Sequence, residues 1–291
     1  MKKYIALILF LLLTLSLPLS VCGEAVYTGA EAAALWDADN DTLLYAENEQ
    51  KRLPMASTTK IMTAIVALEQ GDPDALVKIP AGAVGVEGSS CYLKEGEILS
   101  LRSLLYALLL QSANDAAEAI AIHLAGSTEA FAVLMNLKAG ELGLGNTHFD
   151  NPHGLDSKGH YTTAADLCRL ADYCMQNETF CEIWGTASIC IPLSEQEKAA
   201  MPRHLYNHNK LLRSYAHCVG GKTGYTMRCG RCLVTAAKEN GKTLIAVTLN
   251  DRSDWADHVL LYKYGFEQLR QSEESSPWKR SDCKNTSPTA D

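Results

Sequence analysis

A serine and a lysine three positions apart are the first residues whose types and spacing could do chemistry. Ser57 and Lys60 stand at the start of an apolar run, residues 61–68, which predicts a buried helix that begins after Pro54. Residues at i and i+3 share one helical face, so the hydroxyl and the amine are expected one turn apart. A desolvated amine can take the proton of a serine, and the alkoxide can then attack a carbonyl carbon.

The Ser-x-x-Lys spacing is common by chance, so this pair alone leaves a structural interpretation open. In that interpretation, Ser57 caps a core helix and Lys60 extends its amine to solvent. Nucleophilic chemistry therefore needs support from polar residues elsewhere in the chain.

A second polar group follows a strongly apolar stretch. Leucines at helical spacing predict a helix there: Leu101, Leu104, Leu105, Leu108 and Leu109. Ser112 and Asn114 come directly after this helix. Asp115 and Glu118 then resemble a capping box for a next helix over residues 116–124. A tight junction between two helices can aim Ser112 and Asn114 at one point, although Asn114 could instead only cap the second helix.

A third group, Lys222-Thr223-Gly224-Tyr225, precedes two predicted strands that meet at Asn240-Gly241, a strong hairpin signal. We therefore expect the group on a strand of the same sheet. The glycine lets another backbone come close, and the lysine and threonine offer a cation and a hydroxyl to an anion. A phosphate loop is excluded, because Ala216 stands where that motif requires a glycine.

A histidine and an aspartate in a turn-rich loop offer an alternative arrangement. His153 and Asp156 could complete a Ser-His-Asp triad with Ser57. We rank it below the lysine mechanism, because Lys60 already provides a base one turn from Ser57.

The chain has 10 cysteines, and Cys229-x-x-Cys232 has the spacing of a redox pair or half a zinc site. No second pair with ligand spacing accompanies it, so we favour free thiols or a structural bridge over a metal site. We expect no cofactor.

The N-terminus is typical of a secretory signal peptide. A basic start at Lys2 and Lys3 leads into an uncharged apolar run that ends at Val21, which predicts a signal peptide over residues 1–22. An uncleaved membrane anchor is the alternative. Either arrangement places the working domain outside the cytoplasm, and after signal removal we expect no integral membrane domain.

Charge and composition bound the remaining possibilities. Loss of Lys2 and Lys3 leaves 24 basic and 34 acidic residues, a formal net charge of −10. An acidic chain argues against nucleic acid as a partner and against docking on an anionic membrane. Residues 23–270 fit one large domain, and polarity rises from Gln268, so residues 271–291 are predicted to be a disordered tail.

Taken in order, Ser57-x-x-Lys60, Ser112-x-Asn114 and Lys222-Thr223-Gly224 resemble the signature of penicillin-binding proteins and serine β-lactamases. Longer stretches resemble the low-molecular-weight D-alanyl-D-alanine carboxypeptidases: residues 53–63, 87–90, 112–117, 151–155 and 222–226. The resemblance covers roughly residues 30–267. It implies an α+β fold, an antiparallel sheet flanked by helices with a mostly helical subdomain around residues 80–160.

The resemblance also implies roles. Ser57 is the nucleophile, Lys60 the base and Ser112 a proton relay. The substrate-binding residues are Asn114, Lys222, Thr223, Gly224 and Tyr225, and the backbone N–H groups of Ser57 and Tyr225 form an oxyanion hole. The implied substrate is a peptidoglycan stem peptide ending in D-Ala-D-Ala, and β-lactams are implied acylating inhibitors. No metal is implied.

The chain departs from its relatives in several ways. Many carry a second, all-β domain and an amphipathic C-terminal anchor, and neither pattern is found in this sequence. The Glu-x-x-x-Asn element of class A β-lactamases is missing between Asn114 and Lys222. His208 stands where relatives sometimes have an arginine. A β-lactamase and a non-catalytic penicillin-binding sensor remain as alternatives.

Overall fold

The computed structural model describes residues 26–194, 196–197 and 202–275. The predicted signal peptide and residues 276–291 lie outside this part of the chain. The strands are β1 Ala32–Asp37, β2 Thr42–Glu47, β3 Leu76–Lys78, β4 Ile98–Ser100, β5 Ser188–Ile191, β6 Arg203–Tyr206, β7 Cys218–Thr226, β8 Gly230–Glu239 and β9 Lys242–Leu249. The helices are α1 Lys60–Gln70, α2 Leu101–Leu110, α3 Asn114–Ala125, α4 Thr128–Glu141, α5 Ala164–Cys174, α6 Glu178–Gly185, α7 Leu211–Ser214 and α8 Asp254–Ser275.

The main sheet is antiparallel, with strand order β2-β1-β9-β8-β7. The predicted hairpin forms between β8 and β9, and Asn240 and Gly241 have φ of 50° and 78°, as a turn with two left-handed residues requires. The α+β prediction is confirmed. β7 lies at an edge of the sheet, so one side of its backbone faces away from β8.

Both faces of the sheet are covered. All of β1 is buried, because its side chains alternate between two apolar cores. Leu35 packs with Leu261 and Tyr262 of α8 on one face. Ala34 and Trp36 belong to the larger core on the other face, which includes α1 and α5. The predicted helical subdomain corresponds to α2, α3 and α4.

The apolar run after the serine forms a helix that is buried on every side. Each residue of α1 from Lys60 to Ala67 is buried. Ser57 lies just before α1, in the 3-10 turn Ala56–Thr59, and not within the α-helix itself. Residues at i and i+3 eclipse one another in a 3-10 turn, so Ser57 and Lys60 still share one side.

The capping box expected from Asp115 and Glu118 is wrong. α3 begins at Asn114, so Asp115 lies inside the first turn. Its carboxylate accepts hydrogen bonds from the backbone N–H groups of Cys91 and Leu93. The Asp115 carboxylate, which the local pattern predicted to cap the helix, therefore binds backbone groups that are distant in sequence.

The disordered tail prediction is also wrong for residues 271–275, because α8 continues to Ser275. Arg270 pairs with Glu267 and Glu274, one turn away on either side. Such pairs stabilise a helix that has little apolar surface. The short elements α6, β5 and β6 carry too few residues for periodicity to show them, and the sequence analysis missed them.

Among the described residues, no single helix has the length and apolarity needed to cross a bilayer. The bent pair formed by α3 and α4 meets that requirement jointly, on length and composition only.

Replacing Gly220 with alanine is expected to destabilise the fold. A Cβ there would lie 2.5 Å from Cε3 of the buried Trp184 ring, and overpacking typically costs about 1–3 kcal/mol. Gly140, within α4, has no heavy atom within 4 Å of an added Cβ, so Gly140→Ala should stabilise by about 0.5–1 kcal/mol. Urea unfolding measures both free energies, and equal values for the two variants would contradict this packing.

Candidate active site

The turn that carries the serine is held in an unusual conformation. Ala56 has φ of 45°, in the left-handed region. The hydroxyl of Thr59 donates to the Ala56 carbonyl at 2.7 Å, and the Thr58 N–H donates to the Met55 carbonyl at 3.2 Å. Ser57 is the partly exposed residue of this turn, so its hydroxyl can meet a ligand.

The lysine amine is completely buried. Nζ of Lys60 lies 2.9 Å from Oγ of Ser57, 2.7 Å from Oδ1 of Asn114 and 2.5 Å from the backbone oxygen of His153. Burial lowers the pKa of Lys60 well below its ordinary value, and the positive charge of Lys222 adds to this effect. As a neutral amine, Lys60 can donate to Asn114 and His153 and accept the proton of Ser57.

A second buried amine faces Ser112. Nζ of Lys222 donates to Oγ of Ser112 at 2.9 Å and to the Thr223 carbonyl at 2.8 Å. Burial lowers the pKa of Lys222 to about 7. Ser112, at the α2–α3 junction, has φ of 60°. The second and third motifs, which are about 110 positions apart in the sequence, therefore meet in the structure.

Asn114 is fixed from both sides. Its Nδ2 donates to the Glu87 carbonyl at 2.6 Å, and its backbone N–H donates to the Ser89 carbonyl at 2.7 Å. These contacts turn Oδ1 toward Lys60. The alternative that Asn114 only caps α3 is wrong, because the N-cap of this helix is Ala113 and the Asn114 side chain contacts Lys60 and the Glu87 carbonyl instead.

The third motif brings β7 against the serine turn. A Cβ on Gly224 would lie 3.0 Å from both the Met55 oxygen and the Ser57 nitrogen. Only glycine permits this approach without displacing the turn. Thr223 is half-buried and Tyr225 is exposed, next to Gly224 on the same strand.

The Ser-His-Asp arrangement does not form. Nδ1 of His153 accepts the Leu155 N–H at 3.1 Å, and Nε2 lies 3.0 Å from a carboxylate oxygen of Glu118. Asp156 is exposed. What the loop gives to the site is the backbone oxygen of His153, which accepts from Lys60.

Sequence analysis missed the roles of this loop and of Glu118. Side-chain types do not reveal that a backbone carbonyl will meet Lys60. A signal was present in Gly154, which has φ of 91° and whose missing Cβ leaves space for the Ala56 carbonyl.

The Cys-x-x-Cys pair holds free thiols in the structure, with the Cys229 and Cys232 sulfurs 3.1 Å apart. Within the described ranges, no cluster of three or more His, Cys, Asp or Glu side chains is suited to a metal ion.

Comparison with known proteins gives a consistent result. The sequence model of the D-alanyl-D-alanine carboxypeptidase family matches residues 22–253. A D-alanyl-D-alanine carboxypeptidase of Bacillus subtilis is 35% identical over 223 residues, 75% of this chain and 56% of that protein. One from Mycobacterium tuberculosis is 32% identical over 238 residues, 79% of this chain and 80% of that protein.

Solved structures agree. The crystal structure of a D-alanyl-D-alanine carboxypeptidase from Mycobacterium tuberculosis superposes with a TM-score of 0.78 at 29% identity, over 84% of this chain and 95% of that chain. A Streptomyces DD-transpeptidase gives a TM-score of 0.78 at 34% identity, over 83% of this chain and 98% of that chain. The chain spans little more than half the length of the Bacillus relative, but most of the Mycobacterium one. On the match of the family model and these relatives, the chain belongs to the D-alanyl-D-alanine carboxypeptidase family of serine-type peptidases.

Proposed function

We propose that this protein removes the terminal D-alanine from peptidoglycan stem pentapeptides through an acyl-enzyme on Ser57. The observation that carries the proposal is the contact of 2.9 Å between Nζ of Lys60 and Oγ of Ser57. Lys60 is fully buried, and its pKa is lowered well below the ordinary value, by burial first and then by Lys222. A base that is neutral and already in contact with the nucleophile needs no rearrangement before reaction.

In the acylation step, Lys60 takes the Ser57 proton and Oγ attacks the carbonyl carbon of the penultimate D-alanine. We assign the oxyanion to the backbone N–H groups of Ser57 and Tyr225. The close approach of Gly224 to the Ser57 nitrogen supports this assignment, since it brings β7 next to one of the two donors. An oxyanion-hole donor typically contributes about 3 kcal/mol to transition-state stabilisation.

The substrate would lie along the open side of β7 as an added strand. Its terminal carboxylate would then meet Lys222 and Thr223. Burial lowers the pKa of Lys222 to about 7, and a bound carboxylate would favour the protonated lysine. Asn114 would hold the substrate amide.

Departure of D-alanine requires a proton on its amine. Ser112 would relay that proton, and the contact of 2.9 Å between its hydroxyl and Nζ of Lys222 supports this role. Water then attacks the acyl-enzyme, with Lys60 again as base, and releases the shortened peptide. No step in this sequence calls for a metal or a cofactor.

The partners follow from this chemistry. The substrate is a peptidoglycan stem peptide ending in D-Ala-D-Ala, and β-lactams would acylate Ser57 in its place. We infer an extracytoplasmic location from the predicted signal peptide over residues 1–22. Sequencing the N-terminus of the protein from fractionated cells tests this, and a cytoplasmic protein that starts at Met1 would refute it.

Incubation with a peptide ending in D-Ala-D-Ala should release D-alanine, and Ser57→Ala should abolish release. A peptide ending in L-Ala-L-Ala serves as the control and should remain intact. Three outcomes would refute the proposal: rapid penicillin hydrolysis without peptide cleavage indicates a β-lactamase, acylation without any turnover indicates a sensor, and D-alanine release only with an added amine indicates a transpeptidase.

Lys60→Arg is expected to slow acylation by penicillin about 10²-fold or more, the usual scale for losing a general base. The guanidinium keeps the charge but cannot give up its proton in a protein. Lys158→Arg, on an exposed lysine of the neighbouring loop, is the matched control. Stopped-flow labelling with a fluorescent penicillin measures both rates, and a near-normal Lys60→Arg would assign the base elsewhere.

The acylation rate should fall as pH falls, because Lys60 accepts a proton only while neutral. The charge of Lys222 helps to lower the pKa of Lys60. Lys222→Gln removes that charge, so the pKa of Lys60 should rise and the acid limb of the pH–rate profile should move to higher pH. Lys238→Gln, on an exposed lysine of β8, should leave the limb in place. An unmoved limb in Lys222→Gln would show that the two amines do not titrate as a coupled group.

A further inference from the structure

Two thiols lie next to the serine turn and have no part in the mechanism above. Cys229 ends the tip of the β7–β8 hairpin, and Cys232 lies on β8. Their sulfurs are 3.1 Å apart, and each residue is at most 2% exposed. Two thiols in contact can be oxidised together without a large movement of the backbone.

The strand register of the β7–β8 hairpin places this cysteine pair on the face of the sheet that contacts the serine turn. Cys232 stands directly opposite Gly224 in the β7–β8 ladder. Residues opposite each other on antiparallel strands point to the same face. The missing Cβ of Gly224 faces the Met55 oxygen and the Ser57 nitrogen, so the Cys232 side chain lies on the face that meets the serine turn.

Both sulfurs approach one backbone oxygen. Sγ of Cys229 donates to the Pro54 carbonyl at 3.0 Å, and Sγ of Cys232 lies 3.9 Å from the same oxygen. Pro54 is two residues before Ala56, whose left-handed backbone places Ser57. The thiol of Cys229 is therefore part of what holds the start of the serine turn.

We propose that Cys229 and Cys232 form a disulfide on exposure to a disulfide oxidant, and that this bond slows acylation of Ser57. A thiolate of the pair attacks the oxidant, displaces one of its thiols and forms a mixed disulfide. The second cysteine then attacks its partner's sulfur and displaces the other thiol. The pair loses two electrons and two protons, and the oxidant gains both.

Oxidation changes the contact with Pro54. The new bond removes both S–H donors and draws the sulfurs together, so Cys229 no longer donates to the Pro54 carbonyl. Loss of this hydrogen bond would displace Ser57 by shifting the serine turn, because the turn is packed between this hairpin and α1. A displacement of reacting groups well below 1 Å is enough to lower a rate several-fold.

The pair is buried next to an exposed hairpin tip. Met227 is 96% exposed, whereas the two cysteines are buried. The hydrogen bond with Cys232 raises the pKa of Cys229, and burial adds to the rise. The thiolate is therefore scarce at neutral pH, and oxidation should be slow and faster at higher pH.

A peptide map tests bond formation without reference to catalysis. Trypsin cuts after Arg228, Arg231 and Lys238, so the two cysteines fall in separate peptides, residues 229–231 and 232–238. After treatment with oxidised glutathione, a digest without reductant should contain these two peptides joined and lighter by two hydrogens. Their separate recovery with free thiols, or with glutathione still attached, would overturn the proposal.

Acylation by a fluorescent penicillin tests the effect on Ser57, and this arm rests on the proposed function. Oxidised protein should acylate about 5- to 10-fold more slowly than reduced protein, and a reductant should restore the rate. Cys229→Ser keeps a hydrogen-bond donor for the Pro54 carbonyl. Its acylation rate should therefore equal that of the reduced wild type and should not change with the oxidant. Cys229→Ala lacks the donor and should be slow in both conditions.

Cys190→Ser is the matched control, since Cys190 is an exposed thiol outside the hairpin. It should retain the full difference between oxidised and reduced rates. Equal rates for joined and reduced wild-type protein, or a normal rate in Cys229→Ala, would refute the link to the serine turn. Reduced wild-type protein that does not react with penicillin at all would instead count against the proposed function.

Discussion

The site depends on burying the amine of Lys60. An ammonium taken fully out of water costs several kcal/mol unless a charge of opposite sign meets it. The three groups in contact with Lys60 are neutral: a hydroxyl, an amide oxygen and a backbone carbonyl. The neighbouring charge of Lys222 further disfavours the cation. The fold therefore stabilises the neutral amine, which is the form that can act as a base.

Three distant segments must meet for this arrangement to exist. Ser57 comes from the turn before α1, Asn114 from the start of α3 and the His153 carbonyl from the loop that precedes α5. Two glycines, which have no side chain, let the loop before α5 and the strand β7 lie against the serine turn. Gly154 lies against the Ala56 carbonyl and Gly224 against the Ser57 nitrogen. The space for the nucleophile is therefore bounded by backbone on two sides, which leaves it little freedom to move.

The sequence predicted the parts of the site that depend on side-chain type at short spacing. Ser57 and Lys60 are close for purely local reasons, and their contact follows from helical geometry. The contact between Ser112 and Lys222 spans 110 positions, and only the resemblance to a family indicated it. The contact of Lys60 with the His153 carbonyl could not be predicted from side-chain types, because it involves a backbone oxygen.

Local patterns failed where tertiary contacts competed. The Asp115 and Glu118 pattern predicted a capping box. Instead, Asp115 accepts hydrogen bonds from backbone N–H groups of the 91–93 segment, and Glu118 contacts the side chains of His153 and Thr128. The prediction of disorder at the end of α8 failed for a different reason. Its residues have no apolar stripe, and ion pairs along the helix support it instead.

The order of strands in the sheet has a consequence for when the protein can fold. β1 pairs with β9, so Ala34 lies opposite Val247 although more than two hundred residues separate them. Contacts of such long sequence separation form slowly, because a very large loop must close first. A chain still emerging from the ribosome lacks β9, and β1 then has only β2 beside it. In the main sheet, β8 and β7 are connected to β1 and β2 through β9. The serine turn therefore meets its full set of partners near the end of chain synthesis.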